Sequence, residues 1–339
     1  MFEPIYHISP HLLNLIKDIT IVVHELKKKQ ISDVIHAELL SDALITSTYT
    51  STTIEGNPLP LTEVKRLLKS EPTHLRQSER EVINYNRTLK YLNEQPDVQF
   101  TEELVLSIHQ GVVQELLPAE HSGRWRLEPV VIHDPRSRNI VYLPPDHQDV
   151  PALMADLIDF VQAQVDHLDP LILGGIFHKQ FVVIHPFVDG NGRTARLATK
   201  QLLARLGINL FSLLSFENYY NQNVTRYFQK VGAFGNYYDL ASTLAFTPWL
   251  EYFAEGILDE LYRLEKQIVA RQQRPDQGLT SHHQLILELI DANSYITDKL
   301  YAAQTNRAKA TRILDFKKLI EMGMIERKGR GRSTYYTRK

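Results

Sequence analysis

One segment of this chain has no choice about where it goes. Pro170-Leu171-Ile172-Leu173-Gly174-Gly175-Ile176-Phe177-His178-Lys179-Gln180-Phe181-Val182-Val183-Ile184 is apolar on nearly every side. A helix with that pattern offers no face to water, so it belongs at the centre of a helical fold. Asp169 predicts its N-cap and Pro170 its first helical residue. Pro186 stops it. A second helix is expected from about Gly192 through Leu197, Leu202 and Leu203 to Gly207.

The residues that join these helices, His185 to Arg196, are dense in chemistry. Gly190-Asn191-Gly192 falls at a helix N-terminus, where free N–H groups and the positive end of the dipole suit an anion. Arg193 and Arg196 are three apart and share a helix face, so they can clamp neighbouring phosphates. Asp189 is a hard oxygen ligand beside them, as Mg²⁺ requires. His185 has the side-chain pKa closest to neutrality and can take a hydroxyl proton. A capped helix–turn–helix with a surface Asp-Gly turn explains an isolated Asp-Gly-Asn-Gly. It does not explain His185 ahead of that turn and two arginines behind it.

The segment resembles the signature of the Fic family, His-x-Phe-x-Asp/Glu-Gly-Asn-Gly-Arg-x-x-Arg. Its fixed positions are matched by His185, Phe187, Asp189, Gly190, Asn191, Gly192, Arg193 and Arg196. The resemblance implies transfer of AMP from ATP to a Ser, Thr or Tyr hydroxyl of a target protein or of the chain itself. In that reading His185 is the general base, Asp189 holds Mg²⁺, and Phe187 anchors the loop. Gly190 to Arg193 cradle the α- and β-phosphates, Thr194 and Ala195 extend that contact stretch, and Arg196 reaches the γ-phosphate. Relatives can move phosphate or phosphocholine instead, so transfer of another phosphate-containing group is the rival chemistry.

Ser51-Thr52-Thr53-Ile54-Glu55-Gly56-Asn57 resembles the family's inhibitory motif, Ser/Thr-x-x-x-Glu-Gly/Asn. Without the family, the residues already predict a helix end. Leu39, Leu40, Ala43 and Leu44 form an apolar stripe, Gly56 and Pro58 stop the helix, and Ser51 and Glu55 share one face. Thr46 to Thr53 is crowded with Thr and Ser, mediocre helix formers, so this helix needs tertiary contacts to form. The resemblance implies that Glu55 pairs with Arg196 and denies it to the γ-phosphate, in cis or exchanged within a homo-oligomer. Some similar proteins also remove AMP with the same Glu.

The rest of the chain supplies context. It has no cysteine, hence no disulfide framework, thiolate nucleophile or cysteine-based zinc site. It opens without a basic segment leading into an apolar core, and no run approaches a membrane span, which suits a cytoplasmic enzyme with no membrane partner. The formal net charge of −2 hides an asymmetry. Gln304 to Lys339 hold 11 Lys and Arg against 3 acidic residues, a net of +8, so the remainder carries −10. The tail reads as three helices and a glycine-tipped basic hairpin, with Arg307 to Glu321 as candidate recognition helix. It resembles a winged helix-turn-helix module, which implies DNA as a partner, with protein contact as the alternative. A DNA-binding regulator whose core only senses nucleotide is the non-enzyme reading. His282 and His283 read as a surface pair at a helix start.

In the middle, Thr101 caps a helix, and Pro129 to Pro145 reads as two short strands around a polar turn. Similar proteins have a flap here that pairs with the target backbone. Tyr227 and Phe228 are the candidate adenine-pocket residues. The expected fold class is mainly α: a Fic-fold helical core with a β-hairpin flap, plus the winged module. The expected divisions are an N-terminal helical region 1–100 with the inhibitory helix at about 36–56, a core at 101–271, a linker at 272–279 and the module at 280–339.

Overall fold

The computed structural model describes residues 2–133, 139–207, 209–272, 279–329 and 331–339. In chain order the elements are α1 (Pro10–Lys28), α2 (Asp33–Ile54), α3 (Leu61–Lys69), α4 (Gln77–Asn93), α5 (Glu102–Val113), β1 (Ile132–His133), β2 (Ile140–Leu143), α6 (Val150–Gln164), α7 (Pro170–Ile184) and α8 (Asn191–Arg205). Then come α9 (Phe216–Gln222), α10 (Val224–Val231), β3 (Gly235–Asn236), α11 (Tyr237–Leu240), α12 (Thr247–Gln272), α13 (Ser281–Asn293), α14 (Asp298–Ala303), α15 (Lys309–Glu321), β4 (Ile325–Lys328) and β5 (Tyr335–Arg338). The fold is mainly helical. No helix among the described residues is long and apolar enough to cross a membrane.

The chain divides into two compact units, Met1–Lys28 with Asp42–Leu264, and Lys29–Ser41 with Glu265–Lys339. In the first, α7 is the central helix that its sequence demands: every residue but Pro170 and Val182 is buried. Asp169 caps it by accepting from Leu171 N–H at 2.9 Å. Its apolar surface packs with Leu197, Ala198 and Leu202 of α8, Met154 and Leu157 of α6, Val105 and Ile108 of α5, and Tyr85 and Leu89 of α4. Burying large aliphatic and aromatic side chains at roughly 1.5–3 kcal/mol each makes this cluster the stable frame for whatever the α7–α8 loop does. α4 and α5 share this one core.

β1 and β2 pair antiparallel, with Ile132 opposite Tyr142. The turn expected between them, 134–138, lies outside the described residues. β3 pairs parallel to β2 and was not foreseen; two residues of Gly-Asn carry no alternating pattern to read. Tyr142 anchors the sheet: it is buried and its hydroxyl donates to the Val183 carbonyl at 2.9 Å, near the C-terminus of α7.

The second unit holds α13, α14, α15 and the β4–β5 hairpin, the element order expected of the tail. Its core gathers Ile286, Ile290, Tyr301, Phe316 and Leu319, and Val34 joins it from the Lys29–Ser41 segment. Most of the expected linker, 273–278, lies outside the described residues. One expectation needs correcting. His283 is not a surface residue: it is buried, its ring closes a capping box with Thr280, and Nε2 lies 3.4 Å from the buried Asp315. Part of the tail's positive charge is consumed internally. Arg307 pairs with Asp315, Arg312 with Asp298, Lys328 with Glu326, and Arg338 with Asp291.

Candidate active site

The site is built where α7 stops. The backbone at His185 turns left-handed, φ 52° and ψ 61°, and this sharp exit throws the imidazole out of the helix line. Nδ1 donates to the Val182 carbonyl at 3.3 Å, which leaves Nε2 as the nitrogen with a lone pair. Burial pulls the imidazole pKa down to about 4, so it is neutral and able to accept a proton at pH 7.

After His185 the loop is held rigidly. Phe187 is fully buried and stacks on His109 with ring centroids 3.6 Å apart and 2° between planes. The Asn191 side chain bonds both the N–H and the carbonyl of Phe187, at 2.9 and 2.8 Å. It therefore staples the loop, and only its backbone N–H faces outward. Gly190 is the N-cap of α8 with φ 80°, a conformation that favours glycine. A Cβ there would also approach Val113 to 2.9 Å.

The first-turn N–H groups of α8, from Asn191, Gly192 and Arg193, have no acceptor earlier in the helix and form the anion cradle. The expected stretch narrows here. Thr194 N–H already donates to the Gly190 carbonyl at 2.9 Å, and Ala195 is a core residue, so helix register removes both from the cradle.

The two arginines part company despite their common face. Arg193 is buried, and its Nη2 donates to both Asp189 oxygens at 3.1 Å; Nε and Nη1 make no hydrogen bond, Nη1 lying 3.7 Å from Glu81 Oε1. A buried guanidinium with spare donors beside a helix N-terminus is set up for an anion. Asp189 is more than half exposed, and its Oδ1 also accepts from Gly190 N–H. Among the described residues no cluster of three or more His, Cys, Asp or Glu could hold a metal. A single exposed carboxylate beside an anion cradle nonetheless fits Mg²⁺, which takes few protein ligands and completes its shell with other oxygens and water.

Arg196 is fully buried. Its Nε donates to Ser51 Oγ at 2.7 Å, and its Nη2 donates to the Ser51 carbonyl at 2.9 Å and to Glu55 Oε1 at 2.7 Å. Ser51 and Glu55 are thus brought together with Arg196 from 141 and more residues away. Glu55 follows the last residue of α2. Gly56, at φ 91°, reverses the chain, with Gly56 N–H bonding the Thr53 carbonyl and Asn57 N–H the Thr52 carbonyl, a Schellman ending. The Glu55 carboxylate lies so close over Gly192 that a Cβ at that position would collide with it. A side-chain carboxylate therefore sits on the mouth of the cradle.

The α2 face that carries Ser51 is polar and buried. Ser47, Thr48, Thr50, Ser51 and Thr52 are all at most 2% exposed. Thr48, Thr50 and Thr52 satisfy their hydroxyls on carbonyls four residues earlier. Ser47 accepts from Lys200, whose ammonium also reaches the Leu214 carbonyl at 3.1 Å and Glu217 at 3.2 Å.

Three residues of the site were not foreseen. Arg126 is buried, its Nε donates to the His185 carbonyl at 2.9 Å and its N–H to the Pro186 carbonyl at 2.9 Å. His109 Nδ1 accepts from Gly123 N–H at 3.0 Å, so its protonated Nε2 donates to the Asp189 carbonyl at 3.0 Å. Lys200 is the third. Arg126 and His109 lie far from the motif in sequence, whereas Lys200 is four residues beyond Arg196 on α8. His109, alone in the otherwise uncharged stretch 104–114, was the available signal; Arg126, between Arg124 and Glu128, gave none.

Tyr227 requires a correction. It is 1% exposed and stacked on Tyr220, and its hydroxyl meets Arg196 Nη1 at 3.4 Å and His178 Nε2 at 3.2 Å. It is committed to the core behind Arg196 rather than to an open adenine pocket. Phe228, 40% exposed, is left as the adenine candidate of the two.

Comparison with known proteins agrees with this geometry. The Fic/DOC family model matches residues 99–203. "Protein adenylyltransferase Fic" of Nematostella vectensis is 30% identical over 175 residues, 50% of this chain and 39% of the relative. The protein of that name from Drosophila willistoni is 29% identical over 165 residues, 47% of this chain and 32% of the relative. The aligned region thus spans well under half the length of these curated relatives. A crystal structure of a Fic family protein from Desulfovibrio desulfuricans G20 has the same fold, with TM-score 0.66 and 23% identity, covering 100% of this chain and 98% of that one. Over residues 99–203, which contain the α7–α8 loop, this chain carries a Fic/DOC family domain.

Proposed function

We propose that this chain transfers AMP from ATP to a hydroxyl side chain of a protein, and that Glu55 restrains the reaction. The observation that carries the reading is the Glu55 carboxylate bonded to Arg196 and seated over Gly192 at the N-terminus of α8. A carboxylate is the side chain that best imitates a phosphate oxygen there, so the residue that blocks the cradle also reports what the cradle binds.

Each residue then has a task. Asn191, Gly192 and Arg193 present N–H groups to the α- and β-phosphates, and the spare donors of Arg193 add charge. Arg196, once free of Glu55, takes the γ-phosphate and sets the triphosphate for in-line attack at the α-phosphorus. His185 Nε2 accepts the proton of the attacking hydroxyl, the new O–P bond forms, and pyrophosphate leaves with the broken bond's electron pair. Asp189 is the residue that would hold Mg²⁺, which supplies charge neutralisation on the phosphates. The outer edge of β1, unlike β2 between β1 and β3, is open for strand pairing with a target backbone.

The test uses ATP labelled on the α-phosphate, with Mg²⁺, and compares wild type, Glu55→Gly and Glu55→Gly/His185→Ala. Strong self-labelling or target labelling by Glu55→Gly, lost in the double variant, is the expected result. Equal labelling by wild type and Glu55→Gly would remove the restraint from the reading. A parallel reaction with ATP labelled on the γ-phosphate would identify phosphate transfer if that label is the one retained.

A further inference from the structure

We infer that Tyr227 and His178 are positioning residues that hold the Arg196 guanidinium from inside the core, so that it keeps its γ-phosphate-binding posture when Glu55 leaves. This rests on the function proposed above. The described contacts of the guanidinium fall into two sets. Ser51 Oγ, the Ser51 carbonyl and Glu55 all come from α2 and its C-cap, and would depart together. The Tyr227 hydroxyl comes from α10 and stays.

The protons in the second set are fixed by a chain that ends on a backbone carbonyl. Thr199 Oγ1 donates to the Ala195 carbonyl at 2.7 Å. With its proton spent, Thr199 can only accept from His178 Nδ1, 3.0 Å away. A neutral imidazole has one N–H, so Nε2 must accept, and the partner at 3.2 Å is the Tyr227 hydroxyl. The tyrosine proton thus points away from Arg196 and its lone pairs point toward Nη1. Protonation of His178 would reverse this order. Its complete burial, with the charge of Arg196 nearby, pushes the imidazole pKa well below its usual value and keeps the ring neutral. The Tyr227 ring is stacked on Tyr220 with centroids 4.9 Å apart and 19° between planes, so the hydroxyl has no freedom to swing away.

A hydroxyl without this relay is as free to aim its proton at the guanidinium as its lone pair. The relay removes that choice. Its expected signature is selective: the γ-phosphate distinguishes ATP from ADP, and only binding that uses Arg196 should respond.

The experiment is calorimetric titration of ATP and ADP, each with Mg²⁺, into Glu55→Gly/His185→Ala protein, which opens the cradle and does not consume the nucleotide. Tyr227→Phe is expected to weaken ATP by about tenfold, the equivalent of one charge-assisted hydrogen bond, and to leave ADP unchanged. His178→Phe should weaken ATP in the same direction and add nothing on top of Tyr227→Phe, because it acts through that hydroxyl. Equal weakening of ATP and ADP, or an unchanged ratio, overturns the inference. A parent protein that binds ATP no better than ADP overturns the γ-phosphate role of Arg196 itself, a separate failure. Should Tyr227→Phe not fold, His178→Gln against His178→Leu gives the same decision. The amide oxygen can accept from Tyr227 and preserves the ATP preference, whereas Leu loses it; equal ratios in the two overturn the inference.

Discussion

The α7–α8 pair and α2 meet at Arg196 but are held in opposite ways. α7 buries aliphatic and aromatic side chains on nearly every side, and the loop after it is stapled by Asn191, His109 and Arg126. α2 instead presents a docking face of Ser and Thr, whose threonine hydroxyls donate within their own helix. Apolar packing is lost in full when a helix leaves. A threonine that already bonds its own helix carries that bond with it. On the function proposed above, the contrast separates a permanent frame that carries the chemistry from a removable restraint on the element with the smaller undocking cost.

The largest expected effect tests the frame. In Glu55→Gly protein, His185→Ala should lower AMP transfer by about 10²–10⁴-fold, the usual range for removing a general base. Because the neutral ring is the active form and burial holds its pKa at about 4, activity should be lost only as pH falls through about 4, not near 6.5. The acid limb of kcat/KM for Glu55→Gly protein reads this directly, since that ratio reports the free enzyme. A limb near 6.5 would mean that His185 is solvated in the open form and that its position depends on α2.

Lys200 links the two regions. It belongs to α8, yet its ammonium serves Ser47 of α2 and the buried Glu217. Lys200→Met would leave Glu217 with Tyr85 and Ser215 as neutral partners, so a loss of about 3–5 kcal/mol is expected in denaturant unfolding. A near-neutral result would show that α2 docks without this buried pair, and the contrast drawn above would be too sharp.

Glu260 on α12 offers a smaller test away from both helices. It is buried, with Asn218 donating to it at 2.6 Å, and burial raises its pKa from 4.5 to about 7. A raised folded-state pKa stabilises fully below 4.5, and that stabilisation is lost as pH rises through 7. Glu260→Gln imitates the protonated form. It should match wild type at pH 5 and exceed it at pH 8 by about 2–3 kcal/mol, read from urea midpoints at each pH. Equal midpoints at pH 8 would place the carboxylate in a more polar setting than its burial indicates.

The frame was legible in the sequence and the restraint only partly so, for a physical reason. Asp169, Pro170 and the unbroken apolar run act over adjacent residues, so cap, helix and exit can be read locally. The roles proposed for Ser51 and Glu55 were readable through a resemblance, and their spacing placed them on one face. The burial of Ser47, Thr48 and Thr50 was hidden, because hydroxyls read as mediocre helix formers until a partner such as Lys200 or Asn86 is known. Arg126 and His109 were hidden for the same reason: each acts on a backbone carbonyl that only the tertiary fold brings near. Tyr227 misled because an aromatic residue near the motif suggests stacking, whereas its ring is buried and its hydroxyl meets Arg196 and His178.

The smallest effect makes the sharpest comparison, between adjacent residues of α2. Thr52 and Ser51 are equally buried hydroxyls. Thr52 donates to the Thr48 carbonyl at 2.8 Å and reaches the Tyr49 carbonyl at 3.1 Å, both within its own helix. Those carbonyls also serve the helix ladder, so Thr52→Val removes a donor without stranding a buried partner, and the shape is kept. A change within about 1 kcal/mol and unaltered inhibition are expected. Ser51 Oγ instead accepts from Arg196 Nε at 2.7 Å. Ser51→Ala strands one N–H of a buried guanidinium in the docked state, a penalty that is relieved when α2 departs, so α-labelled ATP should show partial activation, weaker than in Glu55→Gly. If Thr52→Val activated as strongly as Ser51→Ala, the docked face would be held by packing in general, and the hydrogen bonds to Arg196 would not be what keeps Glu55 in place.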